Sequence, residues 1–302
     1  YCFGARFIAD GVTFGEDSTM APHTMGSKCI VTWGGNPYET APVIGRMLPQ
    51  IVKQPEVRYI VVDPRRTELA EAANLHIRPR PGTDGALALG LMNVIIAEGL
   101  YDKKFVEKWT VGFDKLADHI KNYPPEKVEE ITWVPADQIR EFARIFATSK
   151  PASIARGNAL CANDNSFQTL RAISVLMAIT GNVDIPGGSI LINLRSLVQV
   201  AYGEFAATND LPKAKAIAGP GEYPIWWKIT RESSTPGVMD AIISGQPYPI
   251  KAAIFQRTNP FITGGDTQKI KKVLESLDFV VVHDIFHPET CEFADIVLPA
   301  AT

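Results

Sequence analysis

The stretch "VVDPRRTELAEAANLHIRPRPGTDG", residues 61–85, decides the fold. It begins inside a continuous apolar run, Arg58–Val62, that stops at Asp63. Continuous apolar runs are typical of parallel strands that helices cover on both faces. The stretch continues with one or two predicted helical turns, Glu68–Ala73, and a short predicted strand, Leu75–Arg78. It therefore predicts a strand–loop–helix–strand unit of an α/β fold.

The same alternation of apolar runs and helical periods extends along the chain. Further predicted strands are Lys28–Trp33, Ser153–Arg156, Ala252–Phe255 and Phe279–His283. The longer predicted helices are Thr40–Lys53, Asp84–Gly99 with Asp84 as its cap, Ser166–Thr180 and Thr267–Ser276. Residues 1–27 and 196–250 are predicted to be irregular. We therefore predict the α/β class, with two related doubly wound (Rossmann-like) parallel-sheet domains, residues 1–157 and 158–302, the second truncated at its C-terminal end.

Composition excludes several classes of protein. The net charge of −3 gives no reason to expect nucleic acid as a partner, and 46% hydrophobic with 21% charged residues indicates a globular chain. No apolar run approaches the roughly 18 residues that a membrane span needs. The cysteines and histidines show neither CxxC nor metal-ligand spacing, so no metal site is predicted from them. The chain starts without methionine, and we expect it to be part of a longer protein.

The feature at Asp63 occurs twice in the sequence. Asn36 precedes Asp63 by 27 residues, and Asn259 precedes Asp284 by 25 residues. The residues that recur in order are Asn36, Asp63, Glu68 and Ala73 in the first copy and Asn259, Asp284, Glu289 and Ala294 in the second. We interpret these copies as two similar units, each ending one strand near Asn-Pro and the next on aspartate.

Such a unit is suited to binding a nucleotide. Ligands of open α/β sheets bind at the carboxyl ends of the strands, and an aspartate there can accept hydrogen bonds from ribose or guanine. Two copies predict two nucleotide-like ligands, or one ligand with two such halves. A single strand-terminal aspartate is more often a cap or a turn former, and Arg65 with Arg66 could be a solvated face. The repetition favours the nucleotide interpretation.

Two further loops could face a ligand. In "RPRPGTDG", Gly82 frees the loop backbone and Asp84 offers a hydrogen-bonding side chain, so an anion or nucleobase could bind; a turn followed by a capped helix is the alternative. Gly157 ends a predicted strand and begins a polar loop. The sequence contains no GxGxxG, GxxxxGK[ST], GxSxG or HExxH motif.

The chain resembles the molybdopterin oxidoreductase family built on bis-molybdopterin guanine dinucleotide, the dimethyl-sulfoxide reductase superfamily. The resemblance lies in four stretches: "CIVTWGGNPYET", "VVDPRRTELAEAANLHIRPRPGTDGALALGLMNVIIAEGLYDKKFVEKWTVGFDKL", "ITGNVDIPGG" and "FVVVHDIFHPETCEFADIVLPAAT". The resemblance implies two related guanosine-binding α/β units, which agrees with the internal repeat.

The resemblance also implies a role for each candidate residue. The first guanine dinucleotide would be held by Gly34, Asn36, Asp63, Arg65, Gly82 and Asp84. The second would be held by Asn259, Asp284 and Thr290, with Gly157 in the loop between the two. One departure affects the second nucleotide: relatives often have a glycine just before this Asn-Pro, where the present chain has Gln256-Arg257-Thr258.

For the whole protein, the resemblance implies a bis-molybdopterin guanine dinucleotide cofactor with molybdenum or tungsten. It also implies a [4Fe–4S] cluster that this chain does not bind, a small-molecule substrate and an iron–sulfur electron-transfer subunit as partner. We expect Cys2 to neighbour the metal ligand rather than to be it, and the isolated chain to be inactive. Two alternatives stay open: a cofactor-free structural subunit of an electron-transfer complex, and an unrelated α/β nucleotide-binding enzyme. The sequence predicts neither the substrate nor the compartment.

Overall fold

The computed structural model divides the chain into two compact units, Tyr1–Glu204 and Phe205–Thr302. The structure describes residues 4–15, 18–193, 224–225 and 233–301. The division lies later than the boundary predicted at residue 157, because the helix Ser166–Ile179 packs on helices of the first unit. That each unit binds a nucleotide stays a prediction.

A four-stranded parallel sheet organises the first unit. Its strands are β2 (Cys29–Trp33), β3 (Arg58–Val62), β4 (Leu75–Ile77) and β5 (Ala152–Arg156), in the order β4-β3-β2-β5. Trp33 pairs with Val62 on one side and Arg156 on the other, so the strands end together. The residues that follow each strand therefore meet at one edge of the sheet.

Helices cover both faces of this sheet. The described helices of this unit are α1 (Gly4–Phe14), α2 (Pro37–Thr40), α3 (Pro42–Val52), α4 (Glu68–Glu71), α5 (Asp84–Ala97), α6 (Lys103–Trp109), α7 (Phe113–His119), α8 (Pro125–Thr132), α9 (Ala136–Thr148) and α10 (Ser166–Ile179). Val31 and Ile60 pack with α5, α9 and α10, whereas Ile30 and Val61 pack with α3 and α4. Each fully buried aliphatic side chain contributes about 1.5–3 kcal/mol. The predicted α/β class with parallel strands is confirmed.

Two sequence expectations in this unit were wrong. Residues 1–27 are not irregular, because they contain α1 and a strand, β1 (Ser18–Pro22), which pairs antiparallel with β6 (Ser189–Asn193). The partner strand lies far away in the sequence, so no local pattern reveals the pair. Asp84 does not cap α5: Thr83 is the N-cap residue and Asp84 is the first residue of the helix.

The second unit contains a smaller parallel sheet. Its strands are β7 (Ala252–Gln256), β8 (Phe279–Asp284) and β9 (Ile296–Pro299), in that order. Its helices are Thr235–Ser244, Pro260–Thr263 and Thr267–Glu275. Val280 and Val282 pack against Ile270 and Leu274 of the last helix. The opposite face of the sheet, which includes Ile254, is exposed.

Candidate functional site

Glycines bring two loops of the first unit into backbone contact at the ends of the strands. The N–H of Gly157 donates to the carbonyl of Trp33 at 2.8 Å, and the N–H of Gly34 donates to the carbonyl of Val62 at 2.8 Å. A Cβ on Gly157 would overlap the Gly34 carbonyl, and a Cβ on Gly35 would lie 3.1 Å from the Gly157 Cα. Glycine at these positions therefore lets the two loops pack backbone to backbone at the carboxyl edge, where open α/β sheets bind their ligands.

Asp63 directly follows β3, beside these loops, and is only 6% exposed. Its Oδ1 accepts a hydrogen bond from the N–H of Arg65 at 2.8 Å, which closes a turn. The Arg65 side chain is exposed, and its Nε lies 3.8 Å from the same oxygen. His76 contacts the Asp63 carbonyl oxygen through Nε2 at 2.9 Å. The carboxylate is thus held in place, while the guanidinium of Arg65 lies at the rim.

Asp84 joins the same edge through Trp33, whose Nε1–H donates to its Oδ1 at 2.8 Å. Burial raises the pKa of Asp84, the Trp33 hydrogen bond opposes the shift, and the charge of Asp63 adds to it. The structure therefore brings these two predicted carboxylates within electrostatic reach of each other. Gly82, two residues earlier, adopts a left-handed backbone with φ of +84° and is exposed in the turn before α5.

Asn36 has an unsatisfied polar atom at this edge. The residue is 7% exposed, and its Oδ1 has no hydrogen-bond partner. A buried carbonyl oxygen without a donor is costly and rare in folded proteins. A ligand N–H or O–H at this position would remove that cost.

The second unit repeats the arrangement with different partners. Asp284 ends β8, and its Oδ1 accepts a hydrogen bond from the N–H of Phe286 at 3.0 Å, as Asp63 does from Arg65. The Asn259 side chain donates to Glu289 at 2.6 Å and accepts from the Thr290 hydroxyl at 3.0 Å. Asn259 is therefore satisfied within the protein, whereas Asn36 is not.

Matching hydrogen bonds from backbone N–H groups to side chains support the repeat that the sequence predicts. Asn74 accepts at Oδ1 from the Tyr59 N–H, and Asp295 accepts at Oδ2 from the Val280 N–H, both at 2.7 Å. Each acceptor lies 11 residues after the aspartate of its own copy. The short helices Pro37–Thr40 and Pro260–Thr263 also begin directly after the two asparagines.

A buried ion pair next to the first edge was not predicted from the sequence. The guanidinium of Arg156 donates to both carboxylate oxygens of Asp10 at 2.8 Å. Ser174 donates to the same carboxylate at 2.7 Å, and both charged side chains are almost fully buried. Arg156 directly precedes Gly157, so this pair fixes the end of β5. The sequence signals were a charged residue, Asp10, within α1 and another, Arg156, at the end of the apolar strand β5.

Within the residues that the structure describes, no cluster of three or more histidine, cysteine, aspartate or glutamate side chains could hold a metal ion. Cys2 lies outside the described residues. Gly157 lies in the first unit, packed on Gly34 and Gly35. None of the described helices is long and apolar enough to cross a membrane.

Comparison with known proteins identifies the family. The profile of the molybdopterin oxidoreductase family matches residues 8–302. The F420-dependent formate dehydrogenase subunit alpha of Methanocaldococcus jannaschii is 32% identical over 99% of the chain, and the acetylene hydratase of Syntrophotalea acetylenica is 36% identical over 80% of it. The chain spans only 43% and 36% of these relatives.

A solved structure supports the same assignment. The acetylene hydratase from Pelobacter acetylenicus covers 99% of the chain with a TM-score of 0.81 and 30% identity, and the chain covers 44% of it. The family match includes both sheets and both carboxyl edges described above. The chain belongs to the molybdopterin oxidoreductase family.

Proposed function

We propose that the whole protein is a molybdenum- or tungsten-dependent oxidoreductase, in which this chain holds the two nucleotide tails of a bis-molybdopterin guanine dinucleotide cofactor. Membership of the family implies a molybdopterin cofactor with one of these metals. The observation that carries the finer proposal is the repeated carboxyl edge. Asp63 and Asp284 close the same turn, each beside an Asn-Pro at the end of the neighbouring strand. Two such edges in one chain suit a cofactor with two nucleotide tails.

The residues of the first edge fit a dinucleotide. Gly34 and Gly157 pack closely at the ends of β2 and β5, in the loops where a pyrophosphate would bind, and the Asn36 Oδ1 lacks a donor that a ligand could supply. Asp63 and Asp84 offer carboxylate oxygens to ribose hydroxyls or to the N–H groups of guanine. In this proposal the chain binds and orients the cofactor, and its buried strand ends exclude water from the tails.

The bound metal would supply two-electron redox chemistry on a small-molecule substrate. On the family resemblance, the metal ligand would lie next to Cys2, outside the residues that the structure describes. The proposal extends, on the same resemblance, to a [4Fe–4S] cluster outside this chain and to an iron–sulfur electron-transfer partner. The substrate depends on residues around the metal and is left unassigned.

Metal and nucleotide analysis of the full-length protein tests the proposal. Mass spectrometry should find molybdenum or tungsten, and acid hydrolysis should release two GMP per metal atom. Absence of both metal and GMP would instead favour a cofactor-free structural subunit. One GMP per metal would contradict the assignment of a nucleotide to each edge.

A matched pair of substitutions tests the second edge. Asp284→Ala removes the carboxylate at the end of β8, and we expect it to lower the GMP content of the purified protein. Asp278→Ala, the control, removes a carboxylate just before the other end of β8, where it pairs with Lys251 at 3.0 Å. Equal GMP content in both variants would argue against a nucleotide at this edge.

A further inference from the structure

Arg257 occupies a backbone conformation that favours glycine. It is the first residue after β7, with φ of +53°, and Gly34 is the first residue after β2, with φ of +65°. Both N–H groups donate to the residue just before an aspartate, Gly34 to Val62 at 2.8 Å and Arg257 to His283 at 3.1 Å. The loops after β2 and β7 therefore follow the same backbone path. In the second unit, a residue with a side chain, Arg257, occupies the left-handed conformation that glycine occupies in the first. Strain of this kind is commonly retained where a side chain has a function.

The distribution of positive charge differs between the two edges. In the first unit, the loops after β3 and β4 contain four arginines: Arg65, Arg66, Arg78 and Arg80. In the second unit, the loop after β8, residues 285–288, contains neither lysine nor arginine. Within the described loops that follow β7 and β8, residues 257–266 and 285–288, Arg257 is the one arginine or lysine. An anion bound there would meet Asp284 and Glu289 and would need a cation.

The guanidinium of Arg257 is available for such an anion. Its side chain is exposed, and the ion pairs recorded among residues 233–301 join Lys251, Lys269 and Lys271 to acidic partners. Within that part of the chain, Arg257 takes part in none of them. A guanidinium donates several hydrogen bonds in a planar fork that matches phosphate oxygens.

We propose that Arg257 binds the pyrophosphate of the second nucleotide tail. The inference rests on the proposed function and deepens it. The first loop of a nucleotide-binding α/β unit is where the pyrophosphate lies, and glycines there let the backbone approach it. Gly34 and Gly35 form this loop in the first unit, whereas Arg257 and Thr258 stand at the corresponding positions in the second. In the second unit, a charge-assisted contact from the Arg257 guanidinium to the pyrophosphate would replace a contact from a glycine backbone.

Substitution of Arg257 in the full-length protein separates this role from a structural one. Arg257→Gly removes both the guanidinium and the backbone strain, whereas Arg257→Lys keeps a positive charge. Lys272→Gln is the control, because it removes a positive charge from the helix Thr267–Glu275. Thermal melting is measured on protein from a host that cannot make molybdopterin. Cofactor release from the loaded protein is followed as loss of GMP on dialysis, at about 50 mM and about 0.5 M salt.

We expect Arg257→Gly to stabilise the cofactor-free protein and to weaken the binding of the cofactor. Melting temperature of the cofactor-free protein should rise, because glycine adopts the left-handed backbone without strain. At low salt, cofactor release should become about tenfold faster, as loss of one charge-assisted hydrogen bond implies. At high salt, the release rates of Arg257→Gly and the original protein should become more alike. The release rate of Arg257→Lys should lie between those two, and Lys272→Gln should release cofactor at the original rate.

Several results would overturn the inference. The inference fails if Arg257→Gly releases cofactor at the original rate, or if its faster release does not depend on salt. It also fails if the cofactor-free Arg257→Gly protein melts at a lower temperature than the original, or if Lys272→Gln releases cofactor as fast as Arg257→Gly does. If the original protein contains no GMP, the proposed function fails and the inference with it. If the original protein contains two GMP per metal but Arg257→Gly retains them equally well, only the inference fails.

Discussion

Asp84 is a partly buried carboxyl whose protonation should affect the stability of the first unit. Its pKa is raised mainly by burial, against the Trp33 hydrogen bond and together with the charge of Asp63. When the pKa of a carboxyl is higher in the folded state than in the unfolded state, its contribution to stability is full at pH values below the unfolded-state pKa. This contribution is lost as pH rises through the folded-state pKa. Asp84→Asn keeps an acceptor for Trp33 and removes the ionisation.

We therefore expect Asp84→Asn to raise the melting temperature of the cofactor-free protein at pH 7. The gain should fade as pH drops toward the ordinary aspartate value of 3.8, where both forms are largely neutral. Melting curves of both proteins between about pH 3 and pH 8 check this expectation. A gain that is constant over this range would show that the charge of Asp84 is not its cause.

Alanine substitutions at Gly157 and Gly82 separate the cost of steric crowding from the cost of a left-handed backbone conformation. Gly157 has an ordinary φ of −83°, but a Cβ there would overlap the Gly34 carbonyl. Gly82 has φ of +84° and open space around it. We expect Gly157→Ala to cost about 3 kcal/mol through displacement of the two loops, and Gly82→Ala to cost about 1 kcal/mol. Urea unfolding measures both values, and equal costs would mean that the loops separate easily.

At the scale of elements, the buried pair between α1 and β5 decides how the first unit closes. Loss of one partner leaves an uncompensated buried charge, so Asp10→Leu and Arg156→Met should each cost about 3–5 kcal/mol. The double variant should be more stable than either single variant, because no unpaired charge remains. Denaturant unfolding of the four proteins measures the coupling. Additive costs would show that the pair contributes no interaction of its own.

The same pair shows where sequence-based prediction ends. Strand β3 was predicted as Arg58–Val62 and found there, because a buried strand in a parallel sheet is a local apolar run. The turn at Asp63 and its second copy at Asp284 could also be predicted, since spacing and repetition are local patterns. Asp10 and Arg156 are 146 residues apart, and no local pattern joins them. The Trp33–Asp84 hydrogen bond escaped prediction for the same reason.

At the scale of the whole molecule, the two sheets differ in how they are covered. Helices cover both faces of the first sheet, whereas the described helices of the second unit cover only one face of its sheet. On the opposite face Ile254 is 75% exposed, Ile296 43% and Leu298 48%. Parallel sheets rarely leave an apolar face in water. Since the chain spans about two fifths of its relatives, we expect another part of the full-length protein to cover this face.

The isolated 302-residue chain should therefore associate with itself through this exposed face. Ile254→Lys and Leu298→Lys place charges on that face, and each should lower both the self-association seen by sedimentation velocity and the binding of a hydrophobic dye. Val111→Lys is the matched control, because Val111 is fully exposed in the first unit, outside the second sheet. In the full-length protein, the first two substitutions should instead be destabilising, since the charge would be buried under the covering segment. Tolerance of Ile254→Lys there, with an unchanged melting temperature, would mean that the face stays open in the complete molecule.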